Sequence, residues 1–341
     1  MHLYAPPPCF VTFAVLRLRF CASTKTVPIP HERKLSLRES HDHKMIPDIK
    51  DLLRESAGET EELLNILTKD QDASYPVLCE AMRYSLLSGG KRIRPFLVSA
   101  FAELFGGNHA HAVQLGCALE MIHTYSLIHD DLPCMDNDDL RRGRPTSHKV
   151  FGEATATLTG DALLTMAFDV ASHPAAVPSK LGYAAVRLLS LAAGKAGMIG
   201  GQMIDMRGET EPLDFETLLE MHAKKTGALI EAACLLGCFC AGIFDKTDER
   251  YRAAIFYAHG IGLAFQIVDD CLDAVGDEAA LGKSVGSDAA SGKTTFLTFM
   301  TTDDAMEYAR TLTEGAKAAI AKFEGSETLC ALADYLLERK N

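Results

Sequence analysis

Long apolar runs and paired-cysteine motifs are both missing from this 341-residue chain. No hydrophobic stretch approaches the roughly 18 residues that a membrane-spanning helix needs, so no transmembrane segment is predicted. The ten cysteines form no CxxC pair and no regular framework, which argues against a disulfide scaffold or a structural zinc site. Cys234, Cys238 and Cys240 are the one cluster. Packing in the core of an apolar helix is the main interpretation there, and contact with a partner subunit is the weaker one.

Acidic residues are missing from the start of the chain, where none precedes Glu32 and three basic residues flank or follow an apolar run at residues 10–16. Residues 1–44 carry seven Lys or Arg and three Asp or Glu, a net charge of +4, which leaves −16 for the remainder. Residues 1–45 are therefore interpreted as an organellar targeting presequence, with plastid favoured over mitochondrion. The alternative is a disordered tail on a cytoplasmic protein. The total charge of −12 argues against a nucleic-acid partner.

Alternation of polar and apolar residues, the pattern of half-buried strands, is rare. From about residue 47 onward, apolar residues instead recur at three- and four-residue spacing, which is typical of amphipathic helices. Glycine and proline separate the periodic runs, which cover residues 76–88, 94–105, 111–130, 153–171, 214–240 and 247–273. The pattern predicts one all-α domain over residues 46–341.

Two aspartate-rich clusters dominate the chain: residues 130–136 (DDLPCMD) and, 139 residues later, residues 269–273 (DDCLD). So many carboxylates in one place are costly unless cations neutralise them, and Mg²⁺ prefers hard oxygen ligands. Each Mg²⁺ typically binds one or two carboxylates and shares its other positions with water and substrate phosphates. Clusters that face each other would hold a diphosphate through several ions. The sequence therefore predicts a site that removes diphosphate as a leaving group.

The second cluster has helical spacing, whereas the first does not. On an ideal helix Asp269 and Asp273 lie about 40° apart, but Asp130 and Asp136 would lie about 120° apart. Pro133 breaks the helical turn, and two residues bulged out beside it would return Asp136 to about one turn from Asp130. A solvated acidic helix end is the alternative for either cluster alone. It is a poor account of two clusters that end two long apolar helices.

Basic segments accompany the acidic ones in an otherwise acidic protein. Residues 89–95 (GGKRIRP) supply a glycine hinge, three cations and the start of a helix, whose N terminus favours anions. Residues 141–145 (RRGRP) directly follow the first acidic cluster. Together they predict two diphosphate pockets beside the metal site. Within them Arg92, Arg144 and, further on, Lys224 are interpreted as solvated surface residues.

In its motifs and their order the chain resembles the trans-isoprenyl diphosphate synthases, the prenyltransferases that make farnesyl and geranylgeranyl diphosphate. The resemblance covers about residues 47–341 and is carried by GGKRIRP (89–95), EMIHTYSLIHDDLPCMDNDDLRRGRPTSH (120–148), FGEATA (151–156), GDALL (160–164), GGQMID (200–205), KTGAL (225–229), FQIVDDCLD (265–273), LGKSVGSD (281–288) and GKTT (292–295). It implies an all-α, isoprenoid synthase-type bundle of long helices around a deep apolar cavity. A homodimer is usual in that family.

The resemblance also implies roles for single residues. The catalytic carboxylates would be Asp130, Asp131, Asp136, Asp269, Asp270 and Asp273. About three Mg²⁺, with Mn²⁺ as a substitute, would be held by Asp130, Asp131, Asp136 and Asp269. Isopentenyl diphosphate would be bound by Lys91, Arg94, His123 and Arg142. The allylic diphosphate would be bound by Arg141, Lys225, Thr226, Gln266, Lys283 and Lys293.

The implied reaction is a head-to-tail condensation of isopentenyl diphosphate with dimethylallyl or geranyl diphosphate. Metals and cationic side chains stabilise the departing diphosphate and leave an allylic carbocation. The double bond of isopentenyl diphosphate attacks this cation, and loss of a proton completes the cycle. A non-catalytic subunit of a synthase heterodimer would typically have lost one acidic cluster, and a terpene cyclase would lack the second cluster and the segment at residues 89–95. Both are weaker alternatives.

Product length would depend on what blocks the cavity below the first cluster. Tyr125, five residues before Asp130, combined with the two-residue insertion Pro133-Cys134 resembles bacterial-type farnesyl diphosphate synthases. The sequence therefore predicts mainly farnesyl diphosphate, with geranylgeranyl diphosphate as the alternative. Ser126 and Met121 are the next chain-length candidates. Ideal helical geometry places Ser126 about 40° from Asp130 and Tyr125 about 140° away.

Overall fold

Helices make up nearly all the regular structure of the residues that the structure describes. A computed structural model describes residues 48–69, 74–275 and 293–339. The α-helices in these ranges are α1 (Ile49–Leu67), α2 (Pro76–Leu86), α3 (Ile93–Leu104), α4 (His109–Asp130), α5 (Ser147–Phe151), α6 (Glu153–Ser172), α7 (Ser179–Ala193), α8 (Met198–Gly208), α9 (Phe215–His222), α10 (Ala228–Cys240), α11 (Glu249–Val275), α12 (Thr302–Ile320) and α13 (Glu327–Leu337). The predicted all-α fold is confirmed. The leader and Lys283 lie outside the described residues.

Several helices begin at a polar side chain that accepts a hydrogen bond from an otherwise unpaired backbone N–H of the first turn. Asp48 caps α1, Asn108 caps α4, Asp214 caps α9 and Thr301 caps α12 in this way. Each cap directly precedes the first residue of its helix. These short-range signals fix where the helices start.

Helix α4 lies in the middle of the bundle and carries the first aspartate cluster at its C-terminal end. It packs against α3 and α6, with further contacts to α1, α2 and α10. Its buried residues lie on all sides of the helix, from Leu115 and Leu119 to Met121, Ile122 and Ile128, as expected for a helix surrounded by others. Helix α11, which carries the second cluster, packs against α10 and α12. The core therefore fixes both helices whose ends bear the carboxylates.

Two local features differ from the sequence prediction. The predicted helix over residues 214–240 is interrupted by a π-helical turn at Ala223–Gly227 between α9 and α10. A short antiparallel hairpin, β1 (Leu140–Arg141) and β2 (Arg144–Pro145), follows the first cluster. Its two-residue turn has φ of 55° at Arg142 and 73° at Gly143, the conformation that suits tight hairpins. Hairpins this short produce no alternating pattern, so periodicity does not reveal them.

The thiols of the described residues are free. Cys234 and Cys238 are fully buried in the core, and burial raises the pKa of Cys238 to about 12. Packing is therefore the account of these two side chains that the structure supports. Within the described ranges no helix has both the length and the apolar character needed to cross a membrane.

Candidate active site

The first acidic cluster turns back on itself at the end of α4. The helix ends at Asp130, and the backbone N–H of Asp136 donates to the carbonyl of Asp130 at 2.9 Å. The N–H of Asn137, a residue with φ of 54°, donates to the carbonyl of Leu132 at 3.1 Å. Asp136 thus returns beside Asp130, as the spacing predicted. It does so through turns after the helix rather than through a bulge within it.

Asp131 is held by the hairpin that follows the cluster. Its side chain is 5% exposed and accepts two hydrogen bonds from Arg141, the one from Nε measuring 2.9 Å. The same guanidinium donates to Asp138 at 3.1 Å. The register of the hairpin sets Arg141 opposite Arg144, and the side chain of Arg141 reaches back to Asp131 at the end of α4. An arginine predicted to bind the allylic diphosphate therefore lies directly against the first cluster.

Asp130 lies in a field of opposing charges. Burial, opposed by the positive charge of Lys225 and aided by the nearby carboxylate of Asp136, raises the pKa of Asp130 to about 6. A buried carboxylate with carboxylate neighbours is stabilised by added positive charge. The donor set therefore suits a hard divalent cation, which would lower the energy of the ionised form.

Lys225 and Thr226 lie in the π-helical turn, a conformation that is often found at functional sites. The ammonium group of Lys225 donates to Asp205 of α8 at 2.6 Å. Lys293 lies 4.0 Å from the same carboxylate. Burial acts to raise the pKa of Asp205, but the charge and hydrogen bond of Lys225 hold it below its usual range. Asp205 thus holds Lys225 by a hydrogen bond and lies near Lys293, and both lysines were predicted to bind the allylic diphosphate.

Asp205 had no role in the sequence analysis, although it ends the motif at residues 200–205. Its hydrogen-bond partner Lys225 is 20 residues away along the chain, and helical periodicity does not predict contacts between residues so far apart. In the same motif, Gly201 lies so close to the π-helical turn that an added Cβ would be 2.2 Å from the backbone nitrogen of Lys225. The side-chain amide nitrogen of Gln202 is buried without a hydrogen-bond partner among the described residues.

The carboxylates of the second cluster have different surroundings. Asp269 is 44% exposed and pairs with Arg339 at 2.7 Å. Asp270 is buried and accepts a hydrogen bond from the backbone N–H of Phe296 at 2.8 Å. Asp273, one helical turn beyond Asp269, is half-buried. Asp270 therefore anchors the segment after the second cluster, while Asp269 and Asp273 lie about 40° apart on α11.

The four residues predicted to bind isopentenyl diphosphate line one polar pocket. It has a volume of about 490 Å³ and is bordered by the N terminus of α3, by α4 and by the hairpin turn. Burial and the neighbouring Arg94 and Arg142 hold the pKa of His123 well below its usual range, so this imidazole is neutral near pH 7. Burial and the charge of Arg339 also lower the pKa of Lys91. The pocket offers three formal cations and one neutral imidazole from Lys91, Arg94, Arg142 and His123.

One residue interpreted as a surface cation is instead buried. The side chain of Arg92 is 0% exposed and forms ion pairs with Glu61 and Glu120, so the prediction of a solvated residue was wrong. Its charge is compensated by two acidic residues from α1 and α4 that its local sequence does not reveal. Arg144 is exposed and stacks on Tyr84.

Lys224 and Gln266 complete the residues considered around the two clusters. Lys224 forms a partly exposed ion pair with Glu220, one turn earlier on α9, at 2.6 Å. Gln266 is half-buried on α11, one turn before the second cluster. Its predicted contact with the allylic diphosphate, which the resemblance implies, stays a prediction.

The chain-length candidates lie on α4. Tyr125 is 5% exposed, and its ring meets that of His129 edge-on with centroids 5.7 Å apart. The hydroxyl of Tyr125 is buried without a hydrogen-bond partner among the described residues. Ser126 donates to the carbonyl of His123 at 2.9 Å, and Met121 is fully buried.

The described residues contain no place where three carboxylate, imidazole or thiol side chains converge on one metal-sized position. The carboxylates are instead distributed over the ends of two helices. Mg²⁺ is commonly held by one or two carboxylates and completed by substrate phosphates, so a distributed donor set suits an ion that arrives with a diphosphate. Asp131, Asp270 and Asp269 already accept hydrogen bonds from Arg141, Phe296 and Arg339, so an ion bound there would share these carboxylates with the protein's own donors.

Residues 75–327 match the family model described as polyprenyl synthetase. The chain belongs to this family. It is 41% identical over 350 residues to the heterodimeric geranylgeranyl pyrophosphate synthase large subunit 1, chloroplastic, of Arabidopsis thaliana, covering 95% of this chain and 93% of that protein. It is 45% identical over 265 residues to the geranylgeranyl diphosphate synthase of Cyanophora paradoxa, covering 77% of this chain and 87% of that protein. The predicted resemblance is confirmed.

The fold is shared with solved structures of the family. One is the geranyltransferase from Helicobacter pylori complexed with magnesium and isoprenyl diphosphate. It superposes with a TM-score of 0.76 at 32% sequence identity, covering 87% of this chain and 100% of that chain. The isoprenoid synthase-type bundle predicted from the motifs is therefore the fold of this polyprenyl synthetase.

Proposed function

We propose that this polyprenyl synthetase condenses isopentenyl diphosphate with allylic diphosphates, head to tail and in the trans configuration. The observation that carries the proposal is the pairing of two aspartate clusters, at the ends of α4 and α11, with the polar pocket lined by Lys91 and Arg94. The clusters would bind, through metal ions, the allylic diphosphate that leaves. The pocket would bind the diphosphate of isopentenyl diphosphate, which is retained in the product. The names of the relatives support the same reaction class.

In this reaction the chain's own residues bind, orient and shield the substrates. Arg141 and Lys225 would take the leaving diphosphate, and Thr226, Gln266 and Lys293 would complete its site. Lys283 is proposed for the same role. Mg²⁺, when bound by the aspartates, would stabilise the negative charge that develops on the departing diphosphate. The allylic cation is attacked by the double bond of isopentenyl diphosphate, and the proton lost passes to the released diphosphate. Water must be kept out while the cation exists.

For the product we propose geranylgeranyl diphosphate, the C20 alternative. The relatives described above carry geranylgeranyl names, which favour C20 over the farnesyl diphosphate that Tyr125 and the Pro133-Cys134 insertion indicated. The inference from Tyr125 rested on a resemblance at one position. Ideal helical geometry directs that side chain well away from Asp130.

The assembly and location of the enzyme are also proposals. A homodimer is the family expectation, whereas the Arabidopsis relative is named as the large subunit of a heterodimer. Both acidic clusters are intact here, so we propose a catalytic subunit in either case. Since the same relative is chloroplastic, we propose that residues 1–45 address the protein to the plastid.

The decisive experiment is incubation of the full chain with Mg²⁺ and labelled isopentenyl diphosphate, with and without dimethylallyl, geranyl or farnesyl diphosphate. Chromatography of the dephosphorylated products gives chain length. Label in a C20 alcohol supports the proposal, and label in C15 alone restores the farnesyl prediction. No incorporation with any partner points to a silent subunit, and a cyclic product formed without isopentenyl diphosphate points to a cyclase. Mass measurement of the purified protein distinguishes monomer from dimer.

A further inference from the structure

A buried arginine underlies the pocket described above. Arg92 lies between two of the cations that line the pocket, Lys91 and Arg94, and its side chain is 0% exposed. An arginine is almost never fully buried unless its charge is paired. Its position therefore requires specific partners.

Three elements supply those partners. The guanidinium of Arg92 donates to Glu61 of α1 at 3.1 Å, to Glu120 of α4 at 2.5 Å and to the carbonyl of Leu86 at the end of α2 at 2.6 Å. The side chain of Glu120 is 2% exposed, whereas that of Glu61 is 39% exposed. The planar guanidinium joins three helices at once, which the single ammonium of a lysine could not reproduce.

The backbone of Arg92 is held in a conformation that few side chains adopt. Its φ is 47° and its ψ is 40°, in the left-handed region, at the residue that precedes α3. Such backbone conformations at residues other than glycine persist only where the surroundings hold them. The ion pairs of the Arg92 side chain with Glu61 and Glu120 are contacts that could hold this turn. Lys91 and Arg94 leave the backbone on either side of it.

The charges in the pocket follow from the same contacts. Four cations and one carboxylate line it, but the charge of Arg92 is compensated by Glu120. Three cations are then left for a ligand, from Lys91, Arg94 and Arg142. Arg92 thus adds no net charge to the pocket, and its contribution is to the arrangement of the neighbouring cations.

We propose that Arg92 is a positioning residue for the isopentenyl diphosphate pocket. Clamped by Glu61 and Glu120, it holds the left-handed turn that brings Lys91 and Arg94 to one diphosphate. The inference rests on the proposed function and goes beyond it, because it assigns the orientation of the binding residues to a side chain that does not itself bind the substrate.

The test uses two variants of the full chain with Mg²⁺ present. Arg92→Lys keeps a positive charge beside Glu120 and so avoids a buried carboxylate without a cation, but it cannot bridge all three partners. The double variant Arg92→Met with Glu120→Met removes both buried charges, which can be nearly neutral for folding. It leaves the net charge of the pocket unchanged. The matched control is Arg310→Met with Glu307→Met, which removes an exposed ion pair on α12.

The readouts are calorimetric binding of isopentenyl diphosphate, the KM values of both substrates and the melting temperature. If Arg92 positions the pocket, both test variants lose at least about tenfold in affinity for isopentenyl diphosphate, which is about 1.4 kcal/mol. Their KM for geranyl diphosphate stays within about twofold of wild type, and the control changes neither. Because the double variant keeps the net charge of the pocket, a loss of affinity in that variant would also show that net charge alone does not give tight binding of isopentenyl diphosphate.

Three outcomes would overturn the inference. A folded test variant that binds isopentenyl diphosphate normally, whatever its melting temperature, gives Arg92 at most a structural role. Equal changes in the KM of both substrates mean that the effect is not specific to this pocket. If Arg92→Lys binds isopentenyl diphosphate weakly but the double variant binds it as wild type does, then the charge balance of the pocket and not the geometry of Arg92 determines the affinity. The proposed function fails separately, if the wild type itself neither binds nor consumes isopentenyl diphosphate.

Discussion

Arg339, near the C-terminal end of the described residues, donates to Asp269 of the second aspartate cluster at 2.7 Å. The same guanidinium donates to the carbonyl of Phe265 at 2.7 Å and lies 3.7 Å above the ring of Phe265. Only 7% of the Arg339 side chain is exposed. A cation of the protein therefore occupies one side of a carboxylate that we propose as a metal ligand.

We expect Arg339→Gln to lower the Mg²⁺ concentration that gives half-maximal activity, because a competing cation is removed from Asp269. A partly exposed ion pair contributes about 1 kcal/mol at most, which corresponds to roughly fivefold in a binding constant. Activity and melting temperature should both be measured across a Mg²⁺ titration. An unchanged midpoint in both titrations would mean that Arg339 does not compete with the ion.

Replacement of either leading aspartate should abolish most catalysis while the fold persists. In Asp130→Ala or Asp269→Ala, turnover should fall by several orders of magnitude, because charge on the departing diphosphate loses its main stabilisation. Circular dichroism would check that helix content is retained. The matched control is Asp303→Ala, an exposed aspartate in the first turn of α12. Near-normal turnover at saturating Mg²⁺ in either cluster variant contradicts the role proposed for both clusters.

Much of the fold could be predicted because it depends on local rules. Apolar periodicity located α2, α3, α4, α6 and α11 to within about two residues, since a helix must bury one face wherever the bundle places it. The return of Asp136 to Asp130 followed from the effect of Pro133 on the helix. The pocket around Lys91 and Arg94 followed from family motifs, not from spacing.

The remaining features depend on contacts between distant residues. Arg92 belongs to a basic run that resembles a solvated surface, and only the approach of Glu61 and Glu120 makes its burial possible. The π-helical turn that carries Lys225 depends on packing against Gly201 of another helix. Hydrophobic periodicity reports which face of a helix is buried, but not which polar residues are buried together with it.

The close approach of α8 to the π-helical turn should make Gly201→Ala harmful. The added Cβ would lie 2.2 Å from the backbone nitrogen of Lys225, so the turn must shift. We expect a loss of about 1–3 kcal/mol of unfolding free energy and a raised KM for the allylic substrate. Gly58→Ala is the matched control, because nothing lies within 4 Å of its added Cβ and alanine favours the helix by up to about 1 kcal/mol. Equal behaviour of the two variants would show that the turn accommodates the methyl group.

Stability should fall in mild acid because of His222. This residue stacks on Phe296 with ring centroids 5.1 Å apart, and burial lowers the pKa of His222 to about 4. An unfolded histidine titrates near 6.5, so the unfolded state binds more protons between about pH 6.5 and 4. Stability therefore decreases as the pH falls through that window, by at most about 1.4 kcal/mol per pH unit from this group. Above about pH 6.5 the contribution is constant.

The free energy of unfolding, measured with denaturant at pH 7 and at pH 5, checks the contribution of His222. His222→Gln should unfold with a smaller difference between the two pH values than wild type, whatever its stability at pH 7. His173→Gln, at an exposed histidine, should leave the difference as it is in wild type. If the two variants show the same pH dependence, His222 is not the group that titrates.

Product length is the most demanding prediction, because it depends on one side chain. The ring of Tyr125 is buried on α4 against His129, and its hydroxyl has no hydrogen-bond partner among the described residues. If the ring closes the cavity, Tyr125→Ala lengthens the product beyond that of wild type, while the rate falls far less than in the aspartate variants, since no charge partner is lost. Tyr125→Phe keeps the ring and should keep the wild-type product. Chromatography of the dephosphorylated products decides, and an unchanged distribution in Tyr125→Ala would move the floor of the cavity to Ser126 or Met121.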